Sequence, residues 1–183
     1  MAKPHSLSRR ELLGASGGVL LAGALLPLGA RALEHAASVA SSSSAAESFV
    51  AALYDTLSPK QREAVCFAWD HVDPKLGLLR TRVAANWQIS EPEVAGDFFS
   101  AEQRTLIRGV FEAMTSPEWH ARLDRQLEDD AGGFGRHQSI AIFGEPRSQR
   151  FEFVLSGRHM TLRCDGNSAD HVAFGGPIFY GHA

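Results

Sequence analysis

Cysteine is scarce in this chain: Cys66 and Cys164 are the only two in 183 residues. That excludes a disulfide-built scaffold, which sets more cysteines into a shorter chain. Basic residues are not in excess either. Lys and Arg number 18 against 21 Asp and Glu, a formal charge of −3, so the footprint of a nucleic-acid binder is missing. The compact metal spacings C-x-x-C, H-x-x-x-H and H-E-x-x-H do not occur. Gly132-Gly133-Phe134-Gly135 follows a helix pattern and precedes a strand pattern, the reverse of a phosphate cradle. Ser156 and Ser168 lack the elbow that a hydrolase nucleophile needs. Glu128, Asp129 and Asp130 crowd a helix end and read as a solvated terminus. The mature part shows no internal repeat. What remains is an ordinary globular balance, 44% apolar and 21% charged, with no signature that identifies a reaction or decides whether the chain is an enzyme.

The first informative segment is the leader. Lys3, Arg9 and Arg10 make a basic start with no acid among them, and an apolar stretch follows from Leu12 to Gly29. Ala30-Arg31-Ala32 then has the small-x-small form of a signal-peptidase site. Ser8-Arg9-Arg10-Glu11-Leu12-Leu13 resembles the twin-arginine export motif, S-R-R-x-[FL]-[LK], which makes residues 1–32 a twin-arginine signal peptide. The competing reading is a retained anchor, because about 20 apolar residues span a bilayer. Gly14, Gly17, Gly18, Gly23 and Pro27 leave this stretch only mildly hydrophobic, so no stable membrane span is expected after cleavage. The resemblance implies the twin-arginine translocase as partner and the periplasm or the exterior as destination. That route accepts folded cargo and often carries cofactor proteins, so a metal or organic cofactor becomes a reasonable expectation. Removing residues 1–32 takes away Lys3, Arg9, Arg10 and Arg31 against Glu11 alone, and the net charge falls from −3 to −6.

Residues 33–46, rich in Ala and Ser, read as a linker. Residues 47–183 read as a single α+β domain, N-terminal helices followed by a small antiparallel β-meander. Phe49, Val50, Leu53 and Tyr54 predict a helix over 47–57. Ser58-Pro59-Lys60-Gln61 is a capping box opening a second, to about Asp70, with Ala64, Val65, Ala68 and Trp69 as its buried stripe. Asp73-Pro74 and Gly77 mark an irregular passage, and residues 78–89 fit neither period. Ser100-Ala101-Glu102-Gln103 is a second capping box, and Ser116-Pro117 opens a further helix with Trp119, Leu123 and Leu127 four apart. The period then switches to two. Strands are expected over 139–143, over 151–155, from Arg158 to Cys164 after a turn at Ser156-Gly157, and from about His171.

Candidate chemistry gathers in the last third, where His137, His159, Cys164, Asp165, His171 and His182 could all ligate a metal. Strand alternation puts His159, Thr161 and Arg163 on one face and Arg158, Met160, Leu162 and Cys164 on the other, so His159 and Cys164 point apart. The functional reading is a pocket or metal site lined by His159 and His182 with an acid from elsewhere. The bland one is surface or strand-capping histidines. The cysteines could pair in an oxidising compartment, but two unpaired thiols are the expectation.

Phe143-Gly144-Glu145-Pro146, Phe151-Glu152-Phe153, Gly157-Arg158-His159-Met160-Thr161-Leu162 and Pro177-Ile178-Phe179-Tyr180-Gly181 follow one another in a recognisable order. Over roughly residues 50–183 the chain resembles the bacterial family called domain of unknown function 3500. That family has an F-G-x-P turn, an aromatic strand, a G-H-H-L-S-L strand and a P-x-F-x-G segment. Leu57 to Arg62 and Ser100 to Arg104 are similar to its L-x-x-x-Q-R helix starts. The family's first strand histidine is Arg158 here, so only His159 carries over. Members usually continue with further helices past the last motif, which makes this chain look like a truncated form of the family domain. The resemblance implies the order of elements and export, and no activity or ligand. Three functions compete: an exported ligand-binding or structural domain, a metal- or cofactor-dependent enzyme using His159 and His182, and a non-functional gene fragment.

Overall fold

Ala46, Val50 and Leu53 fall on one side of a helix and are buried there, on α1 (Ala45–Thr56). The helix begins two residues earlier than expected, inside the Ala/Ser stretch. The computed structural model describes residues 45–148 and 150–165. The leader 1–32 with Arg9 and Arg10, most of the linker 33–46, and His171 and His182 lie outside the described residues. Among the described residues no helix is long and apolar enough to cross a membrane.

Both capping boxes form. Ser58 caps α2 (Pro59–Val65) and Ser100 caps α3 (Ala101–Ala113), and in each the third-position glutamine reaches back to the cap N–H. The two boxes face each other. Gln61 Nε2 donates to Gln103 Oε1 at 2.8 Å, and Gln103 Nε2 donates to Gln61 Oε1 at 3.0 Å. The second N–H of each amide goes to a carbonyl two residues before the other box's serine, Phe98 O and Thr56 O. The following arginines repeat the symmetry. Arg62 donates to Leu57 O and Tyr54 O, and Arg104 to Phe99 O and Gly96 O. A local two-fold relation therefore exists where the sequence shows no general repeat. Gly109 lies mid-α3, where glycine costs about 0.5–1 kcal/mol. A Cβ there would meet the Phe49 ring of α1 at 2.9 Å, so the glycine admits the close approach of the two helices.

The second helix is shorter than its stripe suggests. At Cys66 the backbone turns extended (φ −109°, ψ 127°), and β1 (Cys66–Phe67) pairs in parallel with Ile142 and Phe143. Phe67 stacks on Phe143 with ring centroids 5.4 Å apart. Sheet pairing and aromatic contact override the helical pattern, and Trp69 goes to the opposite side of the sheet from Val65. The irregular passage is a two-residue ladder, β2 (Val72–Asp73) with β3 (Gly77–Leu78). Asp73 Oδ1 closes it by accepting the N–H groups of Lys75 and Leu76. A short 3-10 turn, Leu79–Thr81, follows. Past α3 the chain makes another 3-10 turn at Pro117–Trp119 and then α4 (His120–Ala131). Leu127 is buried and Leu123 touches the core, but Trp119, in the 3-10 turn, is 49% exposed and leaves the expected stripe. Gly132, at φ 78°, ends α4.

The meander is β4 (Gln138–Gly144), β5 (Phe151–Gly157) and β6 (Met160–Asp165), and the sheet order is β1-β4-β5-β6. The domain is thus α+β, helices first and antiparallel meander last. Ile140, Ile142, Phe151, Phe153, Leu155, Met160, Leu162 and Cys164 face the helices, with Val50, Leu53, Ile107 and Phe111 among their partners. Each large side chain so buried contributes about 1.5–3 kcal/mol. The opposite sheet face is covered as well. Leu79, Trp87 and Ile89, in the segment that fits no period, pack on Ala141, Phe143 and Val154.

Candidate functional site

The site begins with a glycine. At Gly157 a Cβ would meet Gln138 Cγ at 2.6 Å and His137 O at 2.7 Å, so only glycine lets the end of β5 lie against the start of β4. The hairpin then turns on Arg158 and His159, with Gly157 and Met160 paired across it. The turn is therefore Arg158-His159 and not Ser156-Gly157, and the strand expected from Arg158 begins at Met160. The His159 φ is 54°, a left-handed value that histidine adopts more readily than most side chains. The expected alternation holds from Met160 onward. The turn is pinned to the covering segment: the His159 N–H donates to Ala85 O at 2.7 Å, and Arg158 bridges Asn86.

Both turn side chains converge on Asp130, at the end of α4. His159 Nδ1 lies 3.1 and 3.0 Å from the two carboxylate oxygens, and Arg158 Nε donates to Oδ1 at 3.1 Å. A carboxylate only accepts, so the His159 proton in this contact sits on Nδ1. His159 is only 8% exposed. In the sequence Asp130 reads as part of a solvated terminus, yet a signal is there. Three acids at a helix C-terminus oppose the helix dipole and call for a cation nearby. Arg158 supplies it.

Beside this cluster lies a depression of about 290 Å³ lined by Asn86, Trp87, Gln88, His137 and Arg158. His137 has φ 53° and sets its Nδ1 3.3 Å from Glu93 Oε1, which also accepts from Gln88 Nε2 at 3.3 Å. Trp87 is fixed from behind, its indole N–H donating to Thr161 Oγ1 at 2.9 Å. The terminal nitrogens of Arg158 and the side-chain amide of Asn86 have no partner among the described residues, which leaves hydrogen-bond donors on two residues of the lining.

The other expected ligands do not join this cluster. Cys164 faces the helical core, and Asp165 closes β6 at the far end of the hairpin. His182, the expected companion of His159, is outside the described residues. Among the described residues no three His, Cys, Asp or Glu side chains come together as a metal would require. The two thiols are free. Cys66, Ile142, Phe153 and Cys164 form one row across four strands, so the cysteines are three strand spacings, about 14 Å, apart and cannot pair. Burial pushes the Cys66 thiol up to about 11 and the Cys164 thiol up to about 12, far from a reactive thiolate.

A second polar cluster, also unforeseen, sits within the covered face. Glu152 (6% exposed) contacts Arg80 at 3.2 Å and Arg163 (3% exposed) at 2.9 Å. Arg163 also donates to the Arg80 and Arg82 carbonyls, and the Arg80 guanidinium lies 3.9 Å over the Trp69 ring. Burial holds the Glu152 carboxyl above the usual range although both arginines pull it down. The cluster ties the covering segment to the sheet, through Arg80 to β5 and through Arg163 to the Arg80 and Arg82 carbonyls. No protein-family model, curated protein or solved structure matches this chain.

Proposed function

We propose that this chain is an exported ligand-binding domain, carried folded by the twin-arginine translocase to the periplasm or beyond, which binds a small polar molecule at the tip of the β5–β6 hairpin. One observation carries the binding site: Arg158 and His159 converge on the Asp130 carboxylate at the rim of a depression with unpartnered donors. Strained or semi-strained backbone collects at functional sites, and two of the three non-glycine residues with positive φ among those described, His137 and His159, flank it. The likeness to domain of unknown function 3500 supports the order of elements and contributes nothing to the choice of ligand. The test is a screen of small polar compounds against the mature chain, followed by nuclear magnetic resonance of the Trp87 indole. A ligand of this site shifts that resonance. Hits that leave it unmoved and perturb another face refute the reading. For export, a reporter carrying Arg9→Lys and Arg10→Lys in the leader should stay in the cytoplasm. A reporter with the intact leader that reaches the periplasm without the translocase overturns the route.

One observation favours a second reading, a metal- or proton-handling histidine. A carboxylate on Nδ1 is the arrangement that orients an imidazole for either task, and Asp130 supplies the acid that a His159 site needs. His159 and His182 remain the proposed ligands. Elemental analysis of protein purified from the periplasm decides the metal: stoichiometric metal lost in His159→Ala supports it, and its absence from the wild type leaves proton handling alone.

A further inference from the structure

The donors around the depression are unequal, and their inequality selects a ligand. Arg158 gives its Nε–H to Asp130, which leaves the two Nη groups as an end-on fork. A planar oxyanion fits such a fork through two parallel hydrogen bonds. Two carboxylates flank the same space, Asp130 behind Arg158 and Glu93 behind His137 and Gln88. They compensate Arg158 and repel a second negative charge, so a monoanion is favoured over a phosphate dianion. A volume of about 290 Å³ is at the low end for small-molecule sites, about 300–1,000 Å³. Asn86 and Gln88 offer amides that match hydroxyl groups, donating and accepting at once.

Resting on the ligand-binding reading above, we infer that the depression takes a small hydroxylated molecule with a single carboxylate, a sugar acid in class, whose carboxylate is held end-on by the Arg158 guanidinium. Trp87 lines the depression beside it, and Asp130 fixes the fork's direction through Nε.

The experiment is calorimetric titration of the mature chain with three probes that share one sugar ring and differ at C6: glucuronate, glucose and glucose 6-phosphate. Glucuronate should bind at least tenfold more tightly than either. Arg158→Gln should erase that preference, and Arg158→Lys, which keeps the charge and loses the fork, should lose most of it. Arg147→Gln removes an exposed arginine from the other end of the sheet and should change nothing. If Arg158→Gln fails to unfold cooperatively, Arg158→Lys carries the comparison. Equal affinity for glucose and glucuronate overturns the carboxylate and leaves the site standing. Tighter binding of the phosphate overturns the selection of a monoanion. Silence with all three probes at millimolar concentration overturns the ligand class, whereas the site itself falls only if the wider screen also leaves Trp87 unmoved.

Discussion

Replacing Gln103 by alanine tests how far two ordinary helix caps depend on each other. Gln103 is only 4% exposed and makes four side-chain hydrogen bonds. Oε1 accepts from the Ser100 N–H at 2.9 Å and Gln61 Nε2 at 2.8 Å, and Nε2 donates to Thr56 O and Gln61 Oε1, both at 3.0 Å. A hydrogen bond contributes about 0.5–1.5 kcal/mol net, and orphaned buried partners cost more. Water can reach part of the gap from the half-buried Gln61 side, so we expect a loss of about 3 kcal/mol for Gln103→Ala. In a domain of this size that lowers Tm by about 10–15 °C. Gln61→Ala should cost somewhat less. Two of the four bonds are shared between the glutamines, so the double variant should cost about 1–2 kcal/mol less than the sum of the singles. Urea unfolding followed by circular dichroism measures all three. Additivity within about 0.5 kcal/mol would show that the boxes act separately and would refute the reciprocal pair.

Gly157→Ala should destabilise by about 1–3 kcal/mol through overpacking against Gln138 and His137, and it should also disturb the His159 amide resonance. An unchanged melting temperature would contradict the close approach. Glu152→Ala leaves Arg163 buried without its carboxylate and should cost about 3–5 kcal/mol by urea unfolding. Replacing Glu152 and Arg163 together by apolar residues should cost less than that. The cysteines predict an alkaline limb. The folded chain keeps thiol protons that the unfolded chain releases above about pH 8.5, so stability falls as pH rises from there toward the folded values of about 11 and 12. Cys164 alone should remove up to about 1.4 kcal/mol per pH unit, and the partly exposed Cys66 less. Urea midpoints at pH 8 and pH 10 measure the fall. Thiol reagents at pH 7.5 should label both cysteines rapidly only after denaturation.

What the sequence made legible is what local physics decides. Ser58 with Gln61, and Ser100 with Gln103, announce their helices because each cap is complete within four residues. Phe151 to Leu155 and Met160 to Cys164 announce strands because alternate side chains meet one hydrophobic layer. The failures have equally physical causes. Cys66–Phe67 is too short to carry a period, and a helical stripe ran through it. Glu152 and Arg163 sit at the polar phase of their strands and look solvated, but the segment that buries them has no periodicity to reveal a second layer. His159 was legible as the residue to test, whereas its acid was not. Asp130 lies 29 residues away, and its nearest signal was an unfavourable charge at a helix end. That the two capping boxes clasp each other is a tertiary fact that neither motif contains.

The covering segment ties these observations together. Apolar contact alone would let it slide, since only Leu79, Trp87 and Ile89 bury large side chains against the sheet's second face. Direction comes from polar pairs with residues that alternate into that face. The Ile89 N–H meets Ser156 Oγ at 2.8 Å, the Ser90 N–H meets Ser139 Oγ at 3.2 Å, the Trp87 indole meets Thr161, and Arg163 takes two carbonyls near Arg80. Each pair holds only in one register, because a one-residue slip would face the serines and threonine with apolar partners. The stretch so fixed is Asn86-Trp87-Gln88, one wall of the depression. Arg158, on the other wall, and its neighbour His159 are held by Ala85, Asn86 and Asp130. The polar residues buried in the second face therefore position the site from beneath. A sheet whose second face met only solvent would present the same hairpin with nothing opposite it.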